Sequence, residues 1–441
     1  MSKKTEASAE INTGKPALVP KLRFPEFRNS SGWQNKALGE FVMLIKDKAG
    51  NQRYKLMSIT SGVGLVSQIE KFGREIAGQA YKNYIVITHN DFAYNKSSTK
   101  EFPEGFIALY LGNEPAAVPN SIFLCFRPTL DVIHPPFLQY QFLINTHGKW
   151  LKKRIAVGAR AHGSLNVDEN DLLSIPISIP ITAEKQSLTE QQKIANCLSS
   201  LDELITTQAQ KVEALKAHKK GLMQLLFPAE GETLPKLRFP KFRDAPHWII
   251  GTLGKLFTMT SGGTPSRSKK EFWNGNIPWV TTSLVDFNII YDSNEYISEF
   301  GLNQSSAKIF PKGTILIAMY GQGKTRGKVS ILGIKAASNQ ACAAILPSKE
   351  VNANFLFQNL AGRYEEMREL SNSGGQENLS LGLIEKLRFS YPRDDKEQQK
   401  ITDFLSYTDE LITAQSQKLD ALKAHKKGLM QQLFPVPDAE E

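Results

Sequence analysis

The side chains with the clearest chemistry are cations and amides gathered in loop-like stretches. The first half carries Lys149, Lys152, Lys153 and Arg154, then Arg160 and His162. The second half carries Arg267, Lys269 and Lys270, then Gln322, Lys324, Arg326 and Lys328. A later stretch, Gly374-Gly375-Gln376-Glu377-Asn378, offers amides beside glycine. Lys and Arg neutralise phosphates, while Arg, Gln and Asn can also bridge two atoms of a base edge. Each residue alone reads more simply as solvated surface. The set recurs in both halves of a chain with 54 Lys+Arg against 44 Asp+Glu and a net charge of +10. That surplus points to a polyanionic partner, nucleic acid first.

Other motifs lack a component that their chemistry needs. Ala318-Met-Tyr-Gly-Gln-Gly323-Lys324-Thr325 fits a relaxed phosphate loop. A working loop is followed by a helix whose N-terminus faces the phosphates, and Arg326–Ile331 reads as a turn and a strand instead. His134-Pro135-Pro136-Phe137 has the outline of the Asn/Asp-Pro-Pro-aromatic motif of amino-methyltransferases, without the Asn or Asp that would hold the amine. Asp394-Asp395-Lys396 resembles the end of a nuclease motif, but three residues are a cheap match. The seven histidines show no metal-ligand spacing, and no Cys-x-x-Cys occurs. The chain therefore reads as non-catalytic, with no metal and no cofactor of its own.

The elements that must position these loops show in a repeat. PKLRFPEFR begins at Pro20 and PKLRFPKFR at Pro235; both lead to a tryptophan (Trp33, Trp248) and then Leu-Gly. A longer repeat begins Glu-Gln-Gln-Lys-Ile at Glu190 and at Glu397 and ends Leu-Phe-Pro at Pro228 and Pro435. Roughly 29 of its 39 positions are identical. The organisation expected is a disordered N-terminus (1–19), a globular region (20–188), a helix (189–228), a linker (229–234), a second globular region (235–395), a second helix (396–435) and a tail (436–441).

In each long repeat apolar residues recur at 4-3 spacing, the mark of a coiled-coil seam. The first copy presents Ile194, Leu198, Leu201, Ile205, Gln208, Val212, Leu215, Lys219, Leu222 and Leu226. The second presents Ile401, Leu405, Thr408, Ile412, Gln415, Leu419, Leu422, Lys426, Leu429 and Leu433. A helix of about 38 residues is roughly 57 Å long. Neither could bury its seam alone, so the two are expected to pair, antiparallel, with Gln208 and Gln415 helping to set the register. An ordinary helical hairpin without a spacing role is the plainer alternative.

The intervening regions read as mixed α/β. Strands are expected at 84–88, 105–111, 122–127, 314–318, 328–332 and 343–346, where β-branched or aromatic runs are bounded by Gly, Pro or Asn. Helices are expected at 136–145 and 354–370, and Pro-punctuated strands at 174–180 and 387–392. No apolar run approaches 18 residues, so no membrane helix is expected. Three scattered cysteines (Cys125, Cys197, Cys342) and a polar N-terminus suggest a reducing, cytoplasmic setting.

Two unlike globular regions, each followed by a copy of one long helix, resemble the specificity subunits of type I restriction–modification systems. Ser261-Gly-Gly-Thr-Pro-Ser266 with Trp273-Asn-Gly-Asn-Ile-Pro-Trp279 is similar to the opening of many target recognition domains, as are Ile315-Leu-Ile, Gly327-Lys-Val329 and Asn339-Gln340. The Glu-Gln-Gln-Lys-Ile start of each helix is similar to that family's domain-to-helix junction. The first region lacks the Gly-Gly-Thr-Pro pattern. The resemblance implies two α/β target recognition domains separated by antiparallel coiled-coil helices in a pseudo-twofold arrangement. It adds Thr264 and Ser266 to the DNA-contact set. It implies a bipartite, asymmetric target in double-stranded DNA. Two methyltransferase subunits and two restriction (translocase/nuclease) subunits would be partners, and S-adenosylmethionine, ATP and magnesium would belong to them. The helices and the PKLRFP segments would offer the docking surface. Other classes that compete are a self-contained DNA methyltransferase or nuclease, a stand-alone DNA-binding regulator and a protein-interaction scaffold.

Overall fold

The computed structural model describes residues 18–60, 62–77, 79–155, 165–181, 184–321, 324–370 and 378–435. The chain forms two compact units. One comprises 1–207 and 419–441, the other 208–418. The division therefore runs through both long helices, not through 229–234.

In the first unit a four-stranded antiparallel sheet has the order Val42–Leu44, Phe123–Pro128, Phe92–Asn95, Phe106–Leu109. A second sheet has the order Gly64–Ser67, Lys55–Thr60, Ala116–Val118, Ile85–Ile87, with Lys55–Thr60 and Ala116–Val118 parallel. In the second unit the corresponding sheets run Met259–Ser261, Cys342–Ile345, Ile315–Ala318, Val329–Leu332 and Tyr296–Ile297, Trp273–Val280, Ala336–Ser338, Ile309–Phe310. Order and strand direction match, including the parallel pair, Trp273–Val280 with Ala336–Ser338. The second unit adds Ile289–Ile290, parallel to Val329–Leu332. Each unit also closes its globular region with an antiparallel ribbon, Trp33–Ala37 with Pro176–Pro180 and Ile249–Thr252 with Arg388–Tyr391.

The strand period explains the layering, because successive side chains point to opposite faces. Ile315 and Ile317 face a core that includes Phe355, Leu356 and Leu360 of the helix Ala353–Gly362. Leu316 and Ala318 face the other sheet through Val280, Phe310 and Ala336. With both faces covered, these strands are continuous apolar runs. In the first unit Phe92 and Tyr94 face the helix Pro135–Leu143, while Ala93 faces Ile87, Ala116 and Val118. The expected helix over 354–370 is broken into Ala353–Gly362 and Tyr364–Leu370 at Arg363, whose backbone leaves the helical region at φ −101° and ψ 18°.

The long helices span Glu184–Leu226 and Asp395–Leu433, about 64 and 58 Å at 1.5 Å per residue. Among the seam residues Ile194, Leu198, Val212, Ile401 and Leu405 are buried; Leu201, Ile205, Leu215, Ile412, Leu419 and Leu422 are half-buried. In the second unit Gln208 Nε2 donates to the Gln415 carbonyl at 2.9 Å and to its Oε1 at 3.0 Å. There Lys219 Nζ reaches both Asp409 oxygens, at 2.6 and 2.7 Å. Numbers rise on one helix as they fall on the other, so the pair is antiparallel. In the first unit Lys426 meets Asp202, the repeat-equivalent pair. The seam lysines are thus neutralised where they are half-buried.

The short repeats form the junctions. Arg23 donates to both oxygens of Glu190, at 2.7 and 2.8 Å, and to the carbonyls of Ser30 and Ser31. Arg238 makes the same bonds to Glu397 and to the carbonyls of Ala245 and Pro246. The next residue, Gln191 or Gln398, accepts from the backbone N–H of His134 or Asn352 and ties each long helix to the start of its domain helix. At the other end of each long helix the Leu-Phe-Pro phenylalanine enters a core. Phe434 lies against Trp33 and Phe137, and Phe227 against Trp248 and Phe355. The C-terminal end of each helix is thus part of a core that the other half of the sequence supplies.

Candidate nucleic-acid interface

In the second unit one end of the five-stranded sheet collects most of the residues singled out in the sequence. Gly262 N–H donates to the Cys342 carbonyl, Met319 N–H to that of Ala341, and Gly327 N–H to that of Ala318. Leu379 N–H donates to the Met319 carbonyl. These bonds bring 263–268, 320–321, 324–328, 339–340 and 378 to the same edge. Gly262 and Gly263 make the approach possible: a Cβ would lie 2.2 Å from the Ser338 and Ser306 carbonyl oxygens respectively.

The side chains there are polar and outward. Thr264 Oγ1 bonds to the exposed amide of Gln340. Ser266 and Ser268 hydroxyls meet at 2.9 Å. Arg267 lies over the Trp273 and Trp279 rings, 3.9 and 4.9 Å from their centroids, and pairs with Glu295. That bond holds Arg267 charged and keeps the Glu295 carboxyl below its ordinary range. Lys269 lies over Phe272, and Lys270 is exposed beside it. Lys324 is exposed, and its carbonyl accepts from Tyr364 Oη at 2.6 Å. Arg326 is half-buried, Lys328 pairs with Asp286, and Asn378 is exposed. Gln322 and Gln376 lie outside the described residues.

In the first unit the same backbone bonds recur. Ile45 N–H donates to the Cys125 carbonyl, Lys96 N–H to that of Ile122, and Leu165 N–H to that of Lys96. The counterpart edge therefore comprises 46–54, 97–105 and 119–121. The helix Thr146–Lys152 borders it, since His147 Nε2 lies 3.3 Å from the Gly105 carbonyl. Lys149, Lys152, Lys153 and Arg154 are all exposed on and just after this helix. Arg154 lies flat on Trp150, 3.4 Å from the ring centroid. Arg160 and His162 lie outside the described residues.

Several cations on this edge escaped the sequence reading. Lys46, Lys48 and Lys100 are exposed and Lys96 is half-buried. The available signal was positional: Lys96-Ser-Ser-Thr-Lys100 follows the strand Phe92–Asn95 as the segment beginning at Met319 follows the matching strand Ile315–Ala318.

The rejected motifs have structural roles. The phosphate-loop-like run lies between the antiparallel strands Ile315–Ala318 and Val329–Leu332, with no helix following it among the described residues. Pro135 and Pro136 open a helix, where a missing N–H costs nothing. Asp394 Oδ1 accepts from Lys396 N–H at 2.9 Å, a cap for the second long helix. Among the described residues no group of three or more His, Cys, Asp or Glu is placed to hold a metal.

The family model for the type I restriction modification DNA specificity domain matches residues 30–217 and 247–424. The chain belongs to this family. The two matches fall on the two repeats. The chain is 21% identical over 430 residues to the type I restriction enzyme MjaVIII specificity subunit of Methanocaldococcus jannaschii, covering 94% of this chain and 93% of that one. It is 30% identical over 181 residues to the MjaIX specificity subunit of the same organism, and 28% over 249 residues to the EcoR124I/EcoR124II specificity subunit of Escherichia coli. Those two matches cover 40% and 54% of this chain, and the chain spans 41% and 56% of these relatives. The fold is similar to the crystal structure of a type I restriction-modification S subunit from M. genitalium, with TM-score 0.54, 17% identity, and 95% and 100% of the two chains covered. It is also similar to a chain from a structural study of complex assembly in the type I R-M system, with TM-score 0.58, 18% identity, and 92% and 98% covered.

Proposed function

We propose that this chain is the non-catalytic DNA address of a type I restriction–modification complex. Each globular region reads one part of a bipartite target through the loop edge described above, and the paired helices set the distance between the parts. The observation that carries this reading is the repeated design: one topology and one junction, with different side chains on the equivalent loop edges. Equivalent frames with unlike loops suit an asymmetric target, because base identity is read by the side chains while phosphates are met by cations that carry no sequence information. The methyltransferase subunits dock on the helices and the adjoining repeated segments, and restriction subunits join them. S-adenosylmethionine, ATP and magnesium are held by those partners, and the assembly works in the cytoplasm.

The test is methylome sequencing of a host expressing this chain with its methyltransferase subunit. The expected result is modified bases at one asymmetric motif with two defined parts and a fixed gap. Modification by this chain alone, or a continuous palindromic motif, would overturn the reading.

A further inference from the structure

The chain presents one surface twice, built from a PKLRFP segment and the first turns of the long helix that it braces. In the first unit Lys193 Nζ lies 5.7 Å from the Phe24 ring centroid; in the second, Lys400 lies 5.9 Å from that of Phe239. Beside this shared feature the copies diverge. Cys197 and Ser200 of the first helix correspond to Phe404 and Tyr407 of the second, and Glu26 corresponds to Lys241.

In the second unit Phe404 meets Phe239 edge-on with ring centroids 5.8 Å apart. Tyr407, one helical turn along the same face, is 66% exposed, and Phe404 itself is 38% exposed. The result is an open aromatic surface with Lys400 over the Phe239 ring and Lys241 two residues along the chain from Phe239. In the first unit the positions of the two aromatics hold a thiol and a hydroxyl, and Lys193 is engaged by Glu26 at 3.2 Å. A burial-driven fold gains nothing from leaving a tyrosine and a phenylalanine in water, whereas buried aromatics dominate the binding energy of protein interfaces.

We propose that these are two docking surfaces of unequal strength for two copies of one partner, the methyltransferase subunit, and that the surface formed by Phe239, Phe404 and Tyr407 is filled first. The occupant follows from the repeat: a surface displayed twice fits a partner that arrives twice. The contact chemistry is an apolar anchor flanked by acidic side chains. That partner meets two lysines and two extra aromatics in the second unit, and one lysine already paired with Glu26 in the first. The inference rests on the function proposed above.

The experiment is a titration of the full-length chain with purified methyltransferase subunit, read by native mass spectrometry and sedimentation as two stepwise dissociation constants. The wild-type constants should differ by more than the statistical factor of two equal sites. Phe404→Cys with Tyr407→Ser should weaken the first step about tenfold or more, to near the second. Cys197→Phe with Ser200→Tyr should tighten the second step. Tyr407 and Phe404 are both exposed, so thermal unfolding of the first variant should shift only by the loss of the Phe239–Phe404 ring contact. Unaltered constants in a variant that remains folded would overturn the proposal. So would self-association of the chain alone that is abolished by Tyr407→Ser, which would assign the surface to a second copy. A wild-type chain that binds no methyltransferase at all would instead overturn the proposed function.

Discussion

Arg23 and Glu190 are 167 positions apart, yet guanidinium and carboxylate meet in a bidentate pair almost out of contact with water. Such a pair contributes little over an apolar replacement of both partners, but removing one partner strands the other charge. Glu190→Ala should therefore cost about 3–5 kcal/mol, read as a lower urea midpoint for the first unit. A loss below about 1 kcal/mol would mean that water reaches Arg23. A second test concerns His147. Its ring is fully buried against Phe142, and burial pushes its pKa down from 6.5 to about 4. Between those values the unfolded chain binds the proton and the folded one does not. Stability from the neutral ring is therefore complete above pH 6.5 and is lost as pH falls towards 4, on the order of 3 kcal/mol. The protection factors of the Thr146–Lys152 amides, with intrinsic exchange rates divided out, should fall over that range, and the trend should flatten in His147→Gln. A ring that titrates near 6.5 by NMR would contradict this. The inward turn of Arg23 was not legible in the sequence. PKLRFP looks like a basic, exposed docking strip until Glu190 is placed beside it, which leaves mainly its phenylalanine, proline and flanking charged residues for a partner.

At the scale of elements the helices were the most legible part. A 4-3 apolar spacing is local and survives any arrangement of the rest. The Gln208–Gln415 bond matches the register role expected of two seam amides. Strands with continuous apolar runs were also legible, because burial on both faces leaves no polar positions. The break at Arg363 was not: there the guanidinium also donates to the carbonyl of Arg388, a partner 25 residues away that no local pattern announces. If the paired helices set the gap between the two parts of the target, deleting 206–212 together with 413–419 should shorten it. Seven residues keep the seam on one face and remove about 10.5 Å from each helix, equal to roughly three base pairs. Methylome sequencing of the deletion variant should then show both parts unchanged and the gap reduced. An unaltered gap would separate the helices from the measurement.

Across the whole molecule, duplication is the organising fact, and the sequence alone reveals it: two copies of a junction, two of a helix, and two regions between them that share no such identity. It also determines the seam, the surplus of positive charge and the motifs that lack their essential partner. Tertiary structure decided three other matters. It showed that the unlike regions share one sheet topology, because strand order and direction depend on pairings between distant segments. It gathered 46–54, 97–105 and 119–121 into the counterpart of the second unit's loop edge, adding Lys46, Lys48, Lys96 and Lys100 to the surface. It also placed Phe227 and Phe434 in cores built mostly by the other half of the sequence. The physical difference is one of range. Helical periodicity and charge are written along the chain, whereas a sheet edge and a shared core exist only once residues far apart in sequence are brought into register.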